Sequence, residues 1–382
     1  MRDAVIVEAV RTPVGRRNGG LSGVHPADLS AHVLRSLVER TGVDPGLVDD
    51  VIWGCVSQAG EQTFDIARTA VLAAGWPESV PGTTVDRQCG SSQQAVHFAA
   101  AGLVAGHYDL VVAGGIESMS RVPMGSPMGD SDPMGPAFHE RYGEGFPNQG
   151  LGAEMIAERW GLSRVQLDGF ALESHARAAA AQDDGRFVAQ IAPVMLPDGT
   201  VIDTDEGVRR GGTLASLSAL RTVFKPEGGV ITAANSSQIS DGSAALLMAT
   251  SERAAELGLA PIARVHTAVL AADDPIIMLT APIPATRKAL QRSGLTIDDI
   301  GVFEVNEAFA SVPLAWLAEI GADPKSLNPL GGAIALGHPL GASGARLMTT
   351  LVHHMRDQGI RYGLQTMCEG GGQANATIIE LL

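Results

Sequence analysis

Residues 40–56 read RTGVDPGLVDDVIWGCV and residues 292–305 read RSGLTIDDIGVFEV. Each passes from a basic helix end through glycine, a turn and a pair of aspartates into an apolar, β-branched run, the order expected of helix, C-cap and strand. The two copies lie roughly 250 residues apart, a spacing that marks a duplicated half and not a short-period solenoid. Around the first copy, short strand-like runs alternate with helical patterns: AVIVEA, then PADLSAHVLRSLVERTG, DVIWGCVS, a helix from about Phe64, GTTV, a helix after Cys89, and DLVVAGG. The second copy has the same surroundings, with ARVHTAV before it and a helix from about Glu307, another after Gly341, then GLQTMC and ATIIEL behind it. Such alternation predicts an α/β chain with a largely parallel sheet and helices on its faces. Between the halves, from about Ser118 to Gln238, the texture changes. SRVPMGSPMGDSDPMGPAFHERYGEGFPNQG is rich in Pro, Gly and Met without period, which reads as a long ordered excursion over one face.

Composition narrows the function. The 382 residues are 45% hydrophobic and 18% charged, with 46 glycines, which describes a folded globule packed through small side chains. A formal charge of −15 argues against nucleic acid or an anionic membrane as partner. The three cysteines, Cys55, Cys89 and Cys368, are far apart and odd in number, so neither a disulfide framework nor a metal site is expected. No stretch amounts to a membrane span, and MRDAVIVEAV lacks the layout of a signal peptide, so the chain is read as soluble, cytoplasmic and beginning near Met1.

Four segments carry chemistry. Cys89, in DRQCGSSQQA (86–95), follows a turn and precedes a helix of small residues, where unpaired amides and the helix dipole favour a thiolate. A buried, inert cysteine would fit the same segment. His338 lies in GGAIALGHPLGASGAR (331–346), before a helix that occupies in the second half the place of the Cys89 helix in the first; a loop histidine with satisfied hydrogen bonds is the plainer reading. Cys368 opens CEGGGQA (368–374), where a thiol beside bare backbone amides suits an acid/base next to an oxyanion site, or where the glycines simply close a hairpin. Asn306 and Glu307, in NEAFA (306–310), leave a strand for a helix that Asn306 could cap.

Together with GGIESMS (114–120), these motifs, in this order over essentially the whole chain, resemble the thiolases. The resemblance implies two duplicated βαβαβαββ-type halves in five layers, αβαβα, with an inserted loop domain. The halves would be residues 1–117 with 239–260, and 261–382, the insertion being 118–238. It also implies CoA-dependent cleavage of 3-oxoacyl-CoA to acetyl-CoA and a shortened acyl-CoA, and the reverse Claisen condensation, by a ping-pong route through an acyl-Cys89 intermediate. By the same resemblance Cys368 is the acid/base, and His338 takes the proton of the nucleophilic thiol. His338 with a water held at Asn306 forms one oxyanion hole, and the amides of Cys89 and Gly370 form the other. Two thiols of near-neutral pKa would suit these duties.

Coenzyme A, here substrate and product, needs local positive charge. Arg209, Arg210, Arg221 and Lys225 form a cationic island without an acid between them. Arg209 falls where thiolases place an arginine near the nucleotide, and Ser237 in NSSQISDG matches the serine that bonds the pantetheine. Asp86, Ser92 and Gln238 depart from the commoner family pattern without removing a catalytic group. In PNQGLGAE, Asn148 and Gln149 stand where short-chain biosynthetic thiolases carry His-Met over the acyl group. The general look resembles actinobacterial degradative thiolases, some of which take bulky or steroid-derived acyl groups. The resemblance further implies a homodimer or homotetramer and no metal. A β-ketoacyl synthase would use two histidines and lack the Cys368 motif, and a non-catalytic acyl or sterol carrier would have lost a catalytic residue.

Overall fold

The computed structural model describes residues 2–143 and 148–382. The first half runs β1 (Val5–Arg11), β2 (Gly15–Arg16), α1 (Pro26–Thr41), β3 (Asp50–Gly54), α2 (Ile66–Ala73), β4 (Thr83–Val85), α3 (Ser91–Ala105) and β5 (Leu110–Ser118). Next come α4 (Gly135–Tyr142), α5 (Gln149–Arg159), α6 (Arg164–Asp183), the ribbon β6 (Val194–Met195) and β7 (Val201–Ile202), and α7 (Leu214–Ser218). The chain continues with β8 (Ser240–Ala249), α8 (Ser251–Glu256), β9 (Ala263–Ala272), α9 (Pro282–Ser293), β10 (Val302–Val305), α10 (Ser311–Ile320), α11 (Ala333–Leu336), α12 (Leu340–Gln358), β11 (Tyr362–Glu369) and β12 (Gln373–Leu381).

The duplicated stretches fold alike. Helices α1 and α9 both end at a left-handed glycine, Gly42 at φ 70° and Gly294 at φ 75°, whose amides bond back to Val38 and Leu290. The strands that follow, β3 and β10, each pair in parallel with a neighbour, β5 and β11. The strand order β4-β3-β5-β8-β1 in one half is matched by β10-β11-β12-β9 in the other. The counterpart of β4 shrinks to a single parallel bridge between Phe303 and Leu327. A short antiparallel join, Val5 with Arg264 and Ile6 with Ala263, connects the two sheets.

Helices α1 and α2 cover the outer face of the first sheet and α9 that of the second, while α12 touches strands of both sheets. Helix α3 lies beside α12 and reaches the second sheet through Gln93, whose Nε2 donates to Thr377 Oγ1 at 2.7 Å. Helix, sheet, helix pair, sheet and helix therefore stack as the expected five layers. The small residues allow the middle layer: a Cβ on Gly344 of α12 would stand 2.7 Å from the Cβ of Gln93, and Ser92 Oγ accepts the Ala345 N–H at 2.9 Å. Polar burial is met unevenly: the buried guanidinium of Arg346 has no hydrogen-bond partner among the described residues, whereas another buried arginine is fully paired. Arg11 of β1 and Asp205 of the excursion form a fully buried bidentate pair at 2.7 and 2.9 Å. No described helix is long and apolar enough to cross a membrane.

The largely parallel sheet expected from the sequence is not found: only β3 with β4, β3 with β5 and β10 with β11 pair in parallel, and the other pairings of the large sheet are antiparallel, because β11 and β12 are joined by a tight glycine turn and β8 and β9 run against β5, β1 and β12. Two helix starts also differ from the sequence reading. The helix expected from about Phe64 begins at Ile66, after Phe64 and Asp65 take positive φ. The helix expected from about Glu307 begins at Ser311, because residues 306–310 run alongside the 235–237 segment: Ser237 N–H donates to Ala308 O, and Phe309 bridges Ser236. The carboxylate of Glu307 turns inward instead, accepting from Ser174 Oγ, Asn328 Nδ2 and the Ile334 N–H.

Candidate active site

The turn before α3 is built by its own polar side chains. Asp86 Oδ1 accepts the Gln88 N–H at 2.6 Å, and Ser91 Oγ accepts the Arg87 N–H while donating to Gln88 O. These bonds hold Gln88 at φ 49°, a strained conformation for a residue with a side chain, and present Cys89 just ahead of the Gly90 cap. Cys89 is 8% exposed, and burial pushes its thiol up to about 12, with the carboxyls of Glu369, Asp86 and Glu117 adding to the effect. The expected near-neutral thiol is therefore not what the free protein holds. The nearest helix-start amides, Gly90 and Ser91, already bond to Arg87 O and Gln88 O, so the dipole loses to desolvation. The thiol needs a base.

His338 is the candidate. It is buried at the foot of α12, and Ser343 Oγ, 2.6 Å from its Nδ1, also donates to Pro339 O at 2.8 Å. A hydroxyl that gives its hydrogen to a carbonyl accepts from the ring, which places the ring proton on Nδ1 and the lone pair on Nε2. Nε2 lies 3.3 Å from Asn306 Nδ2, as donor and acceptor roles require. Burial, and after it the charge of Arg346, holds the imidazole down at about 3, so it is neutral. Asn306 does not cap α10, whose cap is Ala310, and its Oδ1 is buried without a hydrogen-bond partner among the described residues.

Cys368 sits near the end of β11, in register with Ala374 of β12, and the glycines after it close that hairpin, with Gly371 and Gly372 at φ 79° and 76°. Its thiol is pushed well above the ordinary value by burial and then by Cys89, so the two sulfurs are electrostatic neighbours. One small cluster of Cys89, Leu340 and Met367 joins residues next to both cysteines to the start of α12. The excursion roofs the second thiol: Cys368 packs in a core with Ile156 of α5, Met278, Phe309 and Ile334.

Two hubs were not singled out from the sequence. Glu117 accepts from the N–H groups of Val56, Ser57 and Gly341 and from Gln62 Nε2, tying β5 to the start of α12. Its signal was an acid inside an otherwise apolar run, LVVAGGIES. Gln238, noted only as a departure, donates to Gly207 O and Ile334 O and accepts the His338 N–H on its own carbonyl.

The outer residues are spread along the excursion. Arg209 is exposed, with its N–H bonded to His175 Nδ1 and its guanidinium without a partner among the described residues. Arg210 is paired with Asp183 at 2.7 Å and Lys225 lies 3.9 Å from Glu158, so the cationic island reduces to Arg209 and Arg221. Ser237 is half-buried. Asn148 spends its Oδ1 capping α5, accepting from Gly150 and Leu151, and Gln149 Nε2 lies 3.6 Å from Met124 Sδ. Residues 144–147 of the same excursion lie outside the described residues.

Family models agree with the duplicated architecture. A thiolase N-terminal domain matches residues 4–252 and a thiolase C-terminal domain residues 259–381. Among curated relatives, the steroid 3-ketoacyl-CoA thiolase FadA6 of Mycobacterium tuberculosis is 50% identical, the match covering 100% of this chain and 95% of that protein. The 3-ketoacyl-CoA thiolases of Pseudoalteromonas translucida and Erwinia tasmaniensis are 45% and 46% identical, covering 100% of this chain and 99% and 100% of theirs. With the domain matches spanning nearly all of the sequence, the chain belongs to the thiolase family.

Proposed function

We propose that Cys89, His338, Cys368 and Asn306 carry the CoA-dependent cleavage of 3-oxoacyl-CoA in this acyltransferase through an acyl-Cys89 intermediate. The observation that supports it best is the geometry of His338, whose Nδ1 meets Ser343 Oγ at 2.6 Å and whose Nε2 faces Asn306 Nδ2 at 3.3 Å, which leaves the lone pair on Nε2, together with a Cys89 thiol that burial pushes up. His338 Nε2 takes the Cys89 proton, and the sulfur attacks the ketone carbon of the substrate. The bond between that carbon and the α-carbon breaks, its electron pair passing into the enolate of acetyl-CoA, and Cys368 protonates the α-carbon. Once Nε2 carries a proton it becomes a donor at the moment when negative charge reaches the thioester oxygen, with a water on Asn306 as second donor. The amides of Cys89 and Gly370 hold the oxyanion of the tetrahedral adduct. One such donor is typically worth ~3 kcal/mol of barrier. In the second half-reaction Cys368 accepts the thiol proton of CoA, whose sulfur takes the acyl group as the Cys89 sulfur leaves and recovers its proton from His338 Nε2. The condensation is the reverse.

Residues 1–117 with 239–260 and residues 261–382 act as the catalytic halves, and 118–238 as the insertion that receives CoA and the acyl chain through Arg209, Ser237, Asn148 and Gln149. The acyl group is longer or bulkier than acetoacetyl, in line with the name of the relative FadA6. The chain works as a homodimer or homotetramer, a reading that the outer edge of β4, unpaired among the described residues, and the 95% exposed Phe64 support.

Incubation with acetyl-CoA followed by peptide mass analysis tests the assignment. Cys89→Ser should neither take up acetyl nor turn over, whereas Cys368→Ser should trap acetyl on Cys89 and turn over poorly. Substantial thiolysis by Cys89→Ser would remove Cys89 from the mechanism, and an unlabelled wild-type Cys89 would favour the carrier.

A further inference from the structure

Two carboxyl groups occupy equivalent places in the duplicated halves. Glu117 lies at the end of β5 and Glu369 ends β11, and each meets the start of the other half's central helix. Glu117 accepts the N–H of Gly341 on α12 at 2.8 Å. Glu369 lies against Gly90, the cap of α3, so closely that a Cβ on Gly90 would overlap its Oε1.

Their hydrogen bonding is unequal. Both Glu117 oxygens are saturated, by four donors in all. Glu369 is fully buried, its Oε1 accepts only the Asn375 N–H at 3.1 Å, and its Oε2 has no partner among the described residues. A carboxyl that served only to tie the fold together would be expected to look like Glu117.

Position gives the difference a meaning. Gly90 follows Cys89 and Glu369 follows Cys368, so the close approach of glycine and carboxyl lies between the two thiol-bearing segments. Two neighbouring contacts lock the same pair of segments: Gln88 Oε1 would stand 2.8 Å from a Cβ on Gly370, and Arg87 Nη1 donates to Gln373 Oε1 at 2.7 Å. We propose that Glu369 is a positioning residue of the two-thiol site, whose carboxyl joins the Cys89 turn to the β11–β12 hairpin and whose ionisation opposes formation of the Cys89 thiolate.

The groups around Glu369 fix the direction of the effect. Asp86 and Arg87 face it from the turn, Cys89 and Cys368 from either side, and neutral His97 stands behind Asn375 on α3. Burial pushes the carboxyl up to about 8, against the charge of Arg87 and the Asn375 bond and with a smaller contribution from Asp86. Glu369 is thus uncharged at neutral pH and gains its charge in mildly alkaline solution, where it makes the neighbouring thiol harder to ionise.

The inference rests on Cys89 as nucleophile for its consequence in turnover, but its test does not. The rate of alkylation of Cys89 by iodoacetamide, read on its own peptide by mass spectrometry, follows the thiolate fraction without any turnover. From neutral pH to roughly pH 10, the wild-type log rate should climb by less than one unit per pH unit while the carboxyl ionises, and by one unit again above that range. Glu369→Gln should keep the full slope and react about tenfold faster at the alkaline end, one pKa unit being a factor of ten. Arg87→Gln, which removes the cation that eases this ionisation, should move the bend to higher pH. In turnover at neutral pH, Glu369→Ala should lower kcat with KM for CoA unchanged, and Glu369→Gln should restore it. Superimposable alkylation profiles of wild type and Glu369→Gln, or an unmoved bend in Arg87→Gln, would overturn the proposal. Thiolysis retained by Cys89→Ser would overturn only the nucleophile.

Discussion

Replacing Gly344 by alanine should cost more activity than stability. The added Cβ would stand 2.7 Å from the Cβ of Gln93 and overlap the Gln93 backbone nitrogen, whereas carbon atoms rest about 3.5–4 Å apart, so α3 and α12 must separate by roughly 1 Å. Overpacking of this kind costs about 1–3 kcal/mol. The neighbouring bond from the Ala345 N–H to Ser92 Oγ, now 2.9 Å, stretches at a further cost of about 1 kcal/mol. Alanine is the better helix former by about 1 kcal/mol, which offsets that loss. The net destabilisation is therefore about 1–3 kcal/mol, read from urea denaturation. Cys89 directly precedes the start of α3 and His338 that of α12, so the same shift separates thiol from base. A misplacement of about 1 Å can cost about 100-fold in rate, and kcat for thiolysis should fall by that order. Gly169→Ala is the control: this glycine lies in α6 with nothing within 4 Å of its added Cβ, so the change should stabilise by about 0.5–1 kcal/mol and leave kcat alone. A Gly344→Ala enzyme that unfolds earlier yet keeps kcat within a few-fold of wild type would refute the argument that interhelical distance sets the distance between thiol and base.

Other outcomes follow from the same contacts. His97 is buried between Thr377 and Asn375, and burial, then Arg87, lowers it to about 3, so it stays neutral in the fold while the unfolded chain takes up a proton below its ordinary value. Relative to His97→Gln, the wild type should then lose about 1.4 kcal/mol of stability per pH unit as pH falls from about 6 to 4; equal pH dependence in urea titrations would contradict this. Arg209→Ala should raise KM for CoA with little change in kcat, an effect that fades with salt; an unchanged KM at low ionic strength would show that Arg209 is a solvated surface residue with no CoA contact. Converting Asn148 to His and Gln149 to Met should shift relative kcat/KM toward acetoacetyl-CoA over a longer or ring-bearing substrate. Loss of the Asn148 cap should independently cost about 1 kcal/mol of stability, so an unmoved specificity ratio in a folded variant would show that the two residues do not line the acyl site.

The duplication was legible in letters because each half repeats a local grammar of glycine-capped helix, turn and apolar strand, which physics writes into short stretches of chain. The same holds for the small residues of α3 and α12, which announce a crowded layer before any neighbour is known. The motifs around Cys89, Asn306, His338 and Cys368 each had a plainer local reading, and only their order along the chain, through its resemblance to the thiolases, made them a candidate site. Their ionisation was not legible. A helix start suggested an acidic thiol at Cys89, but only the tertiary packing placed carboxyls from two other strands beside it and removed the water that would have stabilised its anion. The ring proton of His338 depends on Ser343, in the first turn of α12, and on Asn306, just past the end of β10. In the sequence Glu117 and Glu369 each stand near the end of a strand-like run. Their unequal hydrogen bonding arises across the pseudo-twofold, between segments that share no local sequence, and such long-range juxtapositions belong to the fold as a whole.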